Sequence, residues 1–184
     1  MAAPSFESLS AAHIAADCRL SSQARDLLHK DQSPDGFVIA LRNAARYQDA
    51  LFFIARWLGK REAVWWGCQC LWELARSQPD SGVEAGLQDI VHWVTEPSEA
   101  TRRRCETVAE EFTAGRPIGM LAMAAFGSGG SLAPANLPAA AAPEHLTADC
   151  VSAALLMAGA ADPDLYRLFV FLGIDIGHGQ NLWH

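Results

Sequence analysis

The sequence predicts an all-α protein, a stack of antiparallel helical hairpins forming a bundle or a short solenoid-like array. Three observations carry that prediction. Alanine occurs 33 times against 20 for valine, isoleucine and threonine together, and alanine gives up almost no side-chain entropy in a helix. Apolar residues recur at helical spacing in one segment after another. Only a few residues, rich in Pro, Gly and Ser, join most of these segments, so each helix must turn back on its neighbour.

Residues 1–32 read as an N-terminal helical extension with two short helices, near 8–18 and 21–29, the second capped by Ser21 or Ser22. The main helical domain is 33–184. It opens on Ser33-Pro34-Asp35, which combines a capping hydroxyl, a proline at the first helical position and an acid at the positive end of the dipole. Over 34–58 the buried stripe runs through Phe37, Val38, Leu41 and Ala45, then Tyr47, Ala50, Leu51, Ile54 and Leu58, and stops at Gly59. One bent helix and two separate helices both fit that stripe.

Segment 61–77 aligns Val64, Cys68, Leu71, Trp72 and Ala75 on one face and ends at Pro79. Ser81 is placed to cap 82–95, whose stripe is Val83, Leu87, Ile90, Val91 and Val94. Ser98 and Glu99 open 98–114, with Cys105, Val108, Ala109 and Phe112 on the apolar side. Arg102, Arg103, Arg104, Glu106, Glu110 and Glu111 lie on its other side, a salt-bridged exposed face by default and a docking face as the alternative. Segment 116–126 is apolar and small enough to be a buried helix. Residues 127–143 hold too many Gly, Pro and Ala for regular structure and form a long loop, followed by helices near 146–161 and 163–173. Gly173 reads as the final stop, with an extended tail after it.

Composition narrows function by exclusion. A formal charge of -7 and a pI near 5.3 leave no broad basic face for a phosphate backbone, which argues against nucleic acid as a partner. Apolar runs are too short to span a bilayer and the N-terminus lacks a basic, then apolar, leader, so membrane insertion is not expected and the reading is a cytoplasmic protein. Five scattered cysteines (18, 68, 70, 105 and 150) suit reduced thiols rather than a disulfide framework.

Catalytic patterns fail one by one. Gly127-Ser128-Gly129-Gly130 lacks the strand, helix and Gly-Lys-Ser/Thr spacing of a phosphate loop, and neither Ser128 nor Ser131 sits in a Gly-x-Ser-x-Gly elbow. Cys68 and Cys70 point about 200° apart on a helix, one toward the core and one peripheral, and cannot share an ion. His178 and His184 have no further ligands to complete a metal shell. Glu110-Glu111 and the pair Asp162 and Asp164 are explained by solvation and the helix dipole. No cofactor is implied. The enzymatic alternative places a site at the 127–143 loop, with His92 or His145 as base and Asp149 as orienter.

The aromatics are more informative. Trp57, Trp65, Trp66, Trp72 and Trp93 cluster on three successive helices, and Trp65 and Trp66, 100° apart, cannot both bury against one neighbour. Two readings stand side by side: the indoles thicken a core of small alanines, filling the gaps that Ala leaves, or at least one of Trp65 and Trp66 lines a groove, since exposed tryptophans mark interface centres. Between Arg116 and Arg167 no lysine or arginine occurs, which leaves an apolar, faintly acidic C-terminal third. Three motifs also occur in order: Lys60-Arg61-Glu62-Ala63-Val64-Trp65-Trp66, then Phe126 to Pro134 with its Ser-Gly-Gly-Ser-Leu-Ala-Pro run, then Phe171-Leu172-Gly173-Ile174-Asp175-Ile176 before Gly177. Over about residues 30–180 this set resembles a bacterial helical family of unknown function found beside accessory proteins of the type VI secretion system. The resemblance implies a secretion context and transfers no catalytic residue.

The function expected from the sequence is a non-enzymatic protein-binding module, an adaptor or chaperone for a secretion effector or spike component. Trp57, Trp65, Trp66 and Trp93 would be its anchors, and a loop containing Ser128, Gly129, Gly130 and Leu132 would close over the partner. A structural subunit of a larger assembly, including a homo-oligomer, is the alternative outside enzymology.

Overall fold

A computed structural model describes residues 10–77, 80–134 and 136–183. It contains helices α1 (Ala11–Ala15), α2 (Ser22–Arg25), α3 (Pro34–Asn43), α4 (Tyr47–Trp57), α5 (Lys60–Ser77), α6 (Ser81–Thr95), α7 (Glu99–Phe112), α8 (Pro117–Phe126), α9 (Leu146–Ala158) and α10 (Asp164–Gly177). Among the described residues the only strand-like pairing is one bridge between Ser131 and Ala141, so the fold is all-α.

Local chemistry explains most helix starts. Ser10, Ser21 and Ser33 each accept a backbone N–H three residues on, and Ser98 and Thr101 form a reciprocal capping box on α7. The cap of α6 is Asp80, which accepts from Gly82 N and Val83 N, rather than the expected Ser81. A carboxylate accepts both orphan donors and answers the helix dipole better than a hydroxyl.

The 34–58 stripe belongs to two helices. Ala45 is left-handed (φ +54), with Ala45 N donating to Arg42 O and Arg46 N to Leu41 O. That hydrogen-bond pair closes α3 in a Schellman turn.

The helix α5 is the axis of the molecule, packed against α6, α8, α9 and α10. Gly67 permits its close crossing with α8, because a Cβ there would collide with Leu121. Packed on several sides, α5 buries both Cys68 and Cys70, which corrects the core-and-peripheral assignment. The late helices α9 and α10 return to α4 and α5 instead of extending the row. The architecture is therefore a closed bundle, since in a solenoid each unit touches only its neighbours.

Gly173 is not the final stop. The helix α10 runs on to Gly177, and Gly173 lies where a Cβ would crowd Ile54 and the Trp66 indole. Residues 10–32 join the same core: Ala11, Ile14, Ala15, Cys18, Leu20 and Ala24 are buried, and the buried Asp49 of α4 accepts from Ser21 N (2.7 Å) and Ser21 Oγ (2.9 Å). The part of the expected 8–18 helix that precedes residue 10 lies outside the described residues.

Candidate functional site

A groove of about 640 Å³ runs between α5 and α6. Its α5 wall is Trp65, Cys68, Gln69, Trp72, Glu73 and Arg76, spaced i, i+3, i+4, i+7, i+8 and i+11. Gln88, Val91, His92 and Thr95 of α6 face them with the same helical period. Leu172 of α10 and Asn181 of the closing segment complete the lining. This size and a mostly apolar wall with a few polar groups are the features of a binding cleft.

The tryptophans divide in a way their spacing does not reveal. Trp66 is fully buried between α5 and α10, its Nε1–H donating to Phe169 O at 2.8 Å. Trp57 is buried, with its ring beside Gly177 and edge-on to His178, and Trp93 is buried as well. These three are core residues, and none is an exposed anchor. Trp72, assigned to the core stripe by its spacing from Val64, is 42% exposed. Its side of α5 is the one that no packed helix covers completely. Trp65 is half-buried at the groove's end.

That end is closed by residues 178–183. Trp65 Nε1 and Gln69 Nε2 both donate to Asn181 O, at 2.6 and 2.9 Å. Trp183 sits edge-on to Trp65 at 6.3 Å between centroids, with the Arg61 guanidinium 4.3 Å above its ring. The same Arg61 donates to Val94 O and Thr95 O, satisfying the last carbonyls of α6. Gln69 Oε1 is buried without a hydrogen-bond partner. On α10, Leu168 and, at 57%, Phe171 are exposed.

The Gly/Pro/Ala loop lies elsewhere. Arg102, expected on an exposed face, is only 5% exposed in its side chain and clamps the loop from α7. It donates to Phe126 O (2.6 Å) and Ser131 O (3.0 Å) while chelating Glu99 at 2.7 Å. Arg103 adds bonds to Ser131 O and Ala133 O, and both guanidinium groups face the Phe126 ring. Gly130 is left-handed (φ +65), and a Cβ there would press on the Arg102 guanidinium. Ser128 O accepts from Lys60 Nζ at 3.0 Å, and Leu132 packs against the core. Ser128, Gly129, Gly130 and Leu132 thus belong to a pinned structural turn. None of them lines the groove, so they do not form a lid over it.

A family profile, that of a family of unknown function, DUF6931, matches residues 37–177. The chain belongs to the DUF6931 family. No curated protein and no solved structure matches it. The DUF6931 match takes in both helical walls of the groove and the whole Arg102 clamp, and it stops before the closing segment at 178.

For the acid/base alternative the DUF6931 chain offers poor geometry. Asp149 is engaged by Arg56 at 2.7 Å, and His145 has Asp17 at 3.9 Å. His92 does line the groove, with Glu96 at 3.5 Å, beyond the reach of a working hydrogen-bonded pair. Burial pushes the Cys68 thiol at the groove floor well above its ordinary range, opposing thiolate formation. No group of three or more His, Cys, Asp or Glu side chains is placed to hold a metal among the described residues. Nor is any described helix long and apolar enough to cross a membrane.

Proposed function

We propose that this protein is a non-enzymatic protein-binding module whose α5–α6 groove receives a segment of a partner protein. The observation that supports the reading is Trp72, 42% exposed on the wall of a 640 Å³ groove. An indole left open to water beside a cleft is the kind of side chain that anchors interfaces, because it buries a large area at low entropic cost. Trp65 and Val91 extend the apolar surface, and Gln69, Gln88 and His92 supply polar contacts along it.

The resemblance to a family found beside type VI secretion accessory proteins narrows the partner to an effector or spike component, with this chain acting in the cytoplasm as adaptor or chaperone. Tagged chain is co-expressed with type VI effector and spike proteins from the same genome, and co-purification is quantified. One of these components should be retained, and Trp72→Ala should reduce its recovery by at least roughly tenfold, the loss typical of a hot-spot residue, with the melting temperature unchanged. Retention that is indifferent to Trp72→Ala would refute the groove as the binding face. Retention of none of these components would refute the secretion reading.

A further inference from the structure

The closing segment shows, by its own docking, what the end of the groove recognises. Its anchors are a main-chain carbonyl, Asn181 O, and an aromatic ring, Trp183. The carbonyl serves two donors at once, from Trp65 and Gln69, while Gln69 Oε1 stays without a partner. A primary amide can donate and accept side by side. One residue of an extended chain presents its own N–H and C=O on the same edge and serves both halves of Gln69, whereas the resident segment serves one. A buried acceptor left without a donor is a standing penalty, and it favours any occupant that supplies the donor.

The ring site is equally specific in its chemistry. Arg61 is held by Val94 O and Thr95 O, so its guanidinium plane is fixed before Trp183 arrives. Trp65 flanks the same ring edge-on. An aromatic side chain meets a cation on its face and an indole on its edge here, both favourable contacts. The site continues without a break into the groove, because Trp65, Gln69 and Asn181 line both.

Resting on the groove reading above, we propose that the α5–α6 groove binds an extended partner segment carrying an aromatic residue, and that residues 178–183 are a resident competitor at its end. Binding displaces Trp183 from between Arg61 and Trp65 and replaces Asn181 O on Gln69 with the N–H and C=O of one residue of the partner. The resident segment is tethered directly to α10, so its effective concentration is about millimolar. It therefore sets a threshold that weak or non-aromatic segments fail to pass.

The probe is a synthetic peptide with the sequence of residues 177–183, Gly-His-Gly-Gln-Asn-Leu-Trp, titrated to millimolar concentration against the labelled full chain. The readout is the NMR signal of the Trp65 indole N–H. In the Trp183→Ala chain, where the resident is weakened, the signal should shift saturably. In wild type, and in Trp183→Phe, the apparent affinity should be lower by at least roughly tenfold, because the tethered segment competes. A peptide ending in Ala should shift nothing. No saturable shift at Trp65 in the Trp183→Ala chain, or equal affinity for that chain and wild type, overturns the proposal. Thermal melts of each variant confirm that the fold is retained. Concentration-dependent dimers of Trp183→Ala mixed with wild type, seen by light scattering, would assign the site to the segment of a second copy and also overturn it. If the peptide fails while Trp72→Ala still abolishes co-purification, the competitor is wrong and the groove reading survives.

Discussion

Ala45 carries a backbone conformation that suits glycine, and the consequence is measurable. At φ +54 its Cβ crowds the backbone, at a cost of about 1 kcal/mol, yet the turn persists because two hydrogen bonds and the packing of α3 on α4 fix it. Ala45→Gly should therefore stabilise the protein by about 0.5 kcal/mol after the extra freedom of glycine in the unfolded chain is subtracted. A small rise in melting temperature, seen by circular dichroism, checks this, and a fall would show that Ala45 makes a contact worth more than the strain. The same residue shows why the sequence left 34–58 open as one helix or two. Nothing in an alanine announces a left-handed turn, whereas a glycine would have. Trp72 was illegible for a different reason: eight positions from Val64, it falls on the same helical stripe, and only the arrangement of the neighbours decides which edge of that stripe is covered.

Among the elements, the 127–143 loop departs furthest from its appearance in the sequence. Its glycines and prolines prohibit a helix, and its order comes both from Ser131, whose Oγ accepts from Ala133 N and Ala140 N, and from Arg102 and Arg103 on α7. Arg102→Ala would leave Phe126 O short of a donor in a buried setting and Ser131 O with one bond fewer, a loss of about 2–4 kcal/mol. Chemical denaturation measures the total, and hydrogen exchange should show the loop deprotected before the helices. The clamp is also sensitive to acid. The hydrogen bond from Arg102, seconded by that from Arg103, holds the Glu99 carboxyl at about 2, below its ordinary 4.5. A depressed acid contributes stability that is complete above its ordinary value and is lost as pH falls through the folded one. Loop protection should thus decline between pH 4.5 and about 2 in wild type. In Glu99→Gln the part of that decline due to Glu99 should be missing, and a decline identical to wild type would free Glu99 from that role. The alternation of Arg and Glu on α7 was visible as ion pairing, but the reach of Arg102 across to another element was not, since spacing along one helix reports only neighbours on that helix.

At the scale of the whole molecule, the all-α class was legible because apolar period and capping residues are local signals. Closure of the bundle was not, because it depends on α9 and α10 returning to α4 and α5. Every cysteine is buried in the bundle. Burial pushes Cys18 and Cys150 up to about 11 and Cys105 to about 12, and raises Cys68 and Cys70 as well. Native protein at pH 8 should therefore react with no more than a trace of Ellman's reagent over an hour, and all five thiols should titrate in guanidinium. A rapidly reacting native thiol would mean that the bundle opens locally. The groove, in turn, could have been sought as a polar and aromatic face, Trp65-Gln69-Trp72-Arg76, running along α5.

What α5 grips at position 181 is an oxygen of the main chain, an atom every amino acid carries. Selection there acts on the path of the chain and hardly on the identity of the side group. Asn181→Gly, which keeps the left-handed bend at φ +55, should leave both donors satisfied. A β-branched replacement would force the strand out of line and release them. Sequences of this kind can drift at that site while the contact survives, so counting identical letters would overlook one of the points at which the molecule fastens to itself.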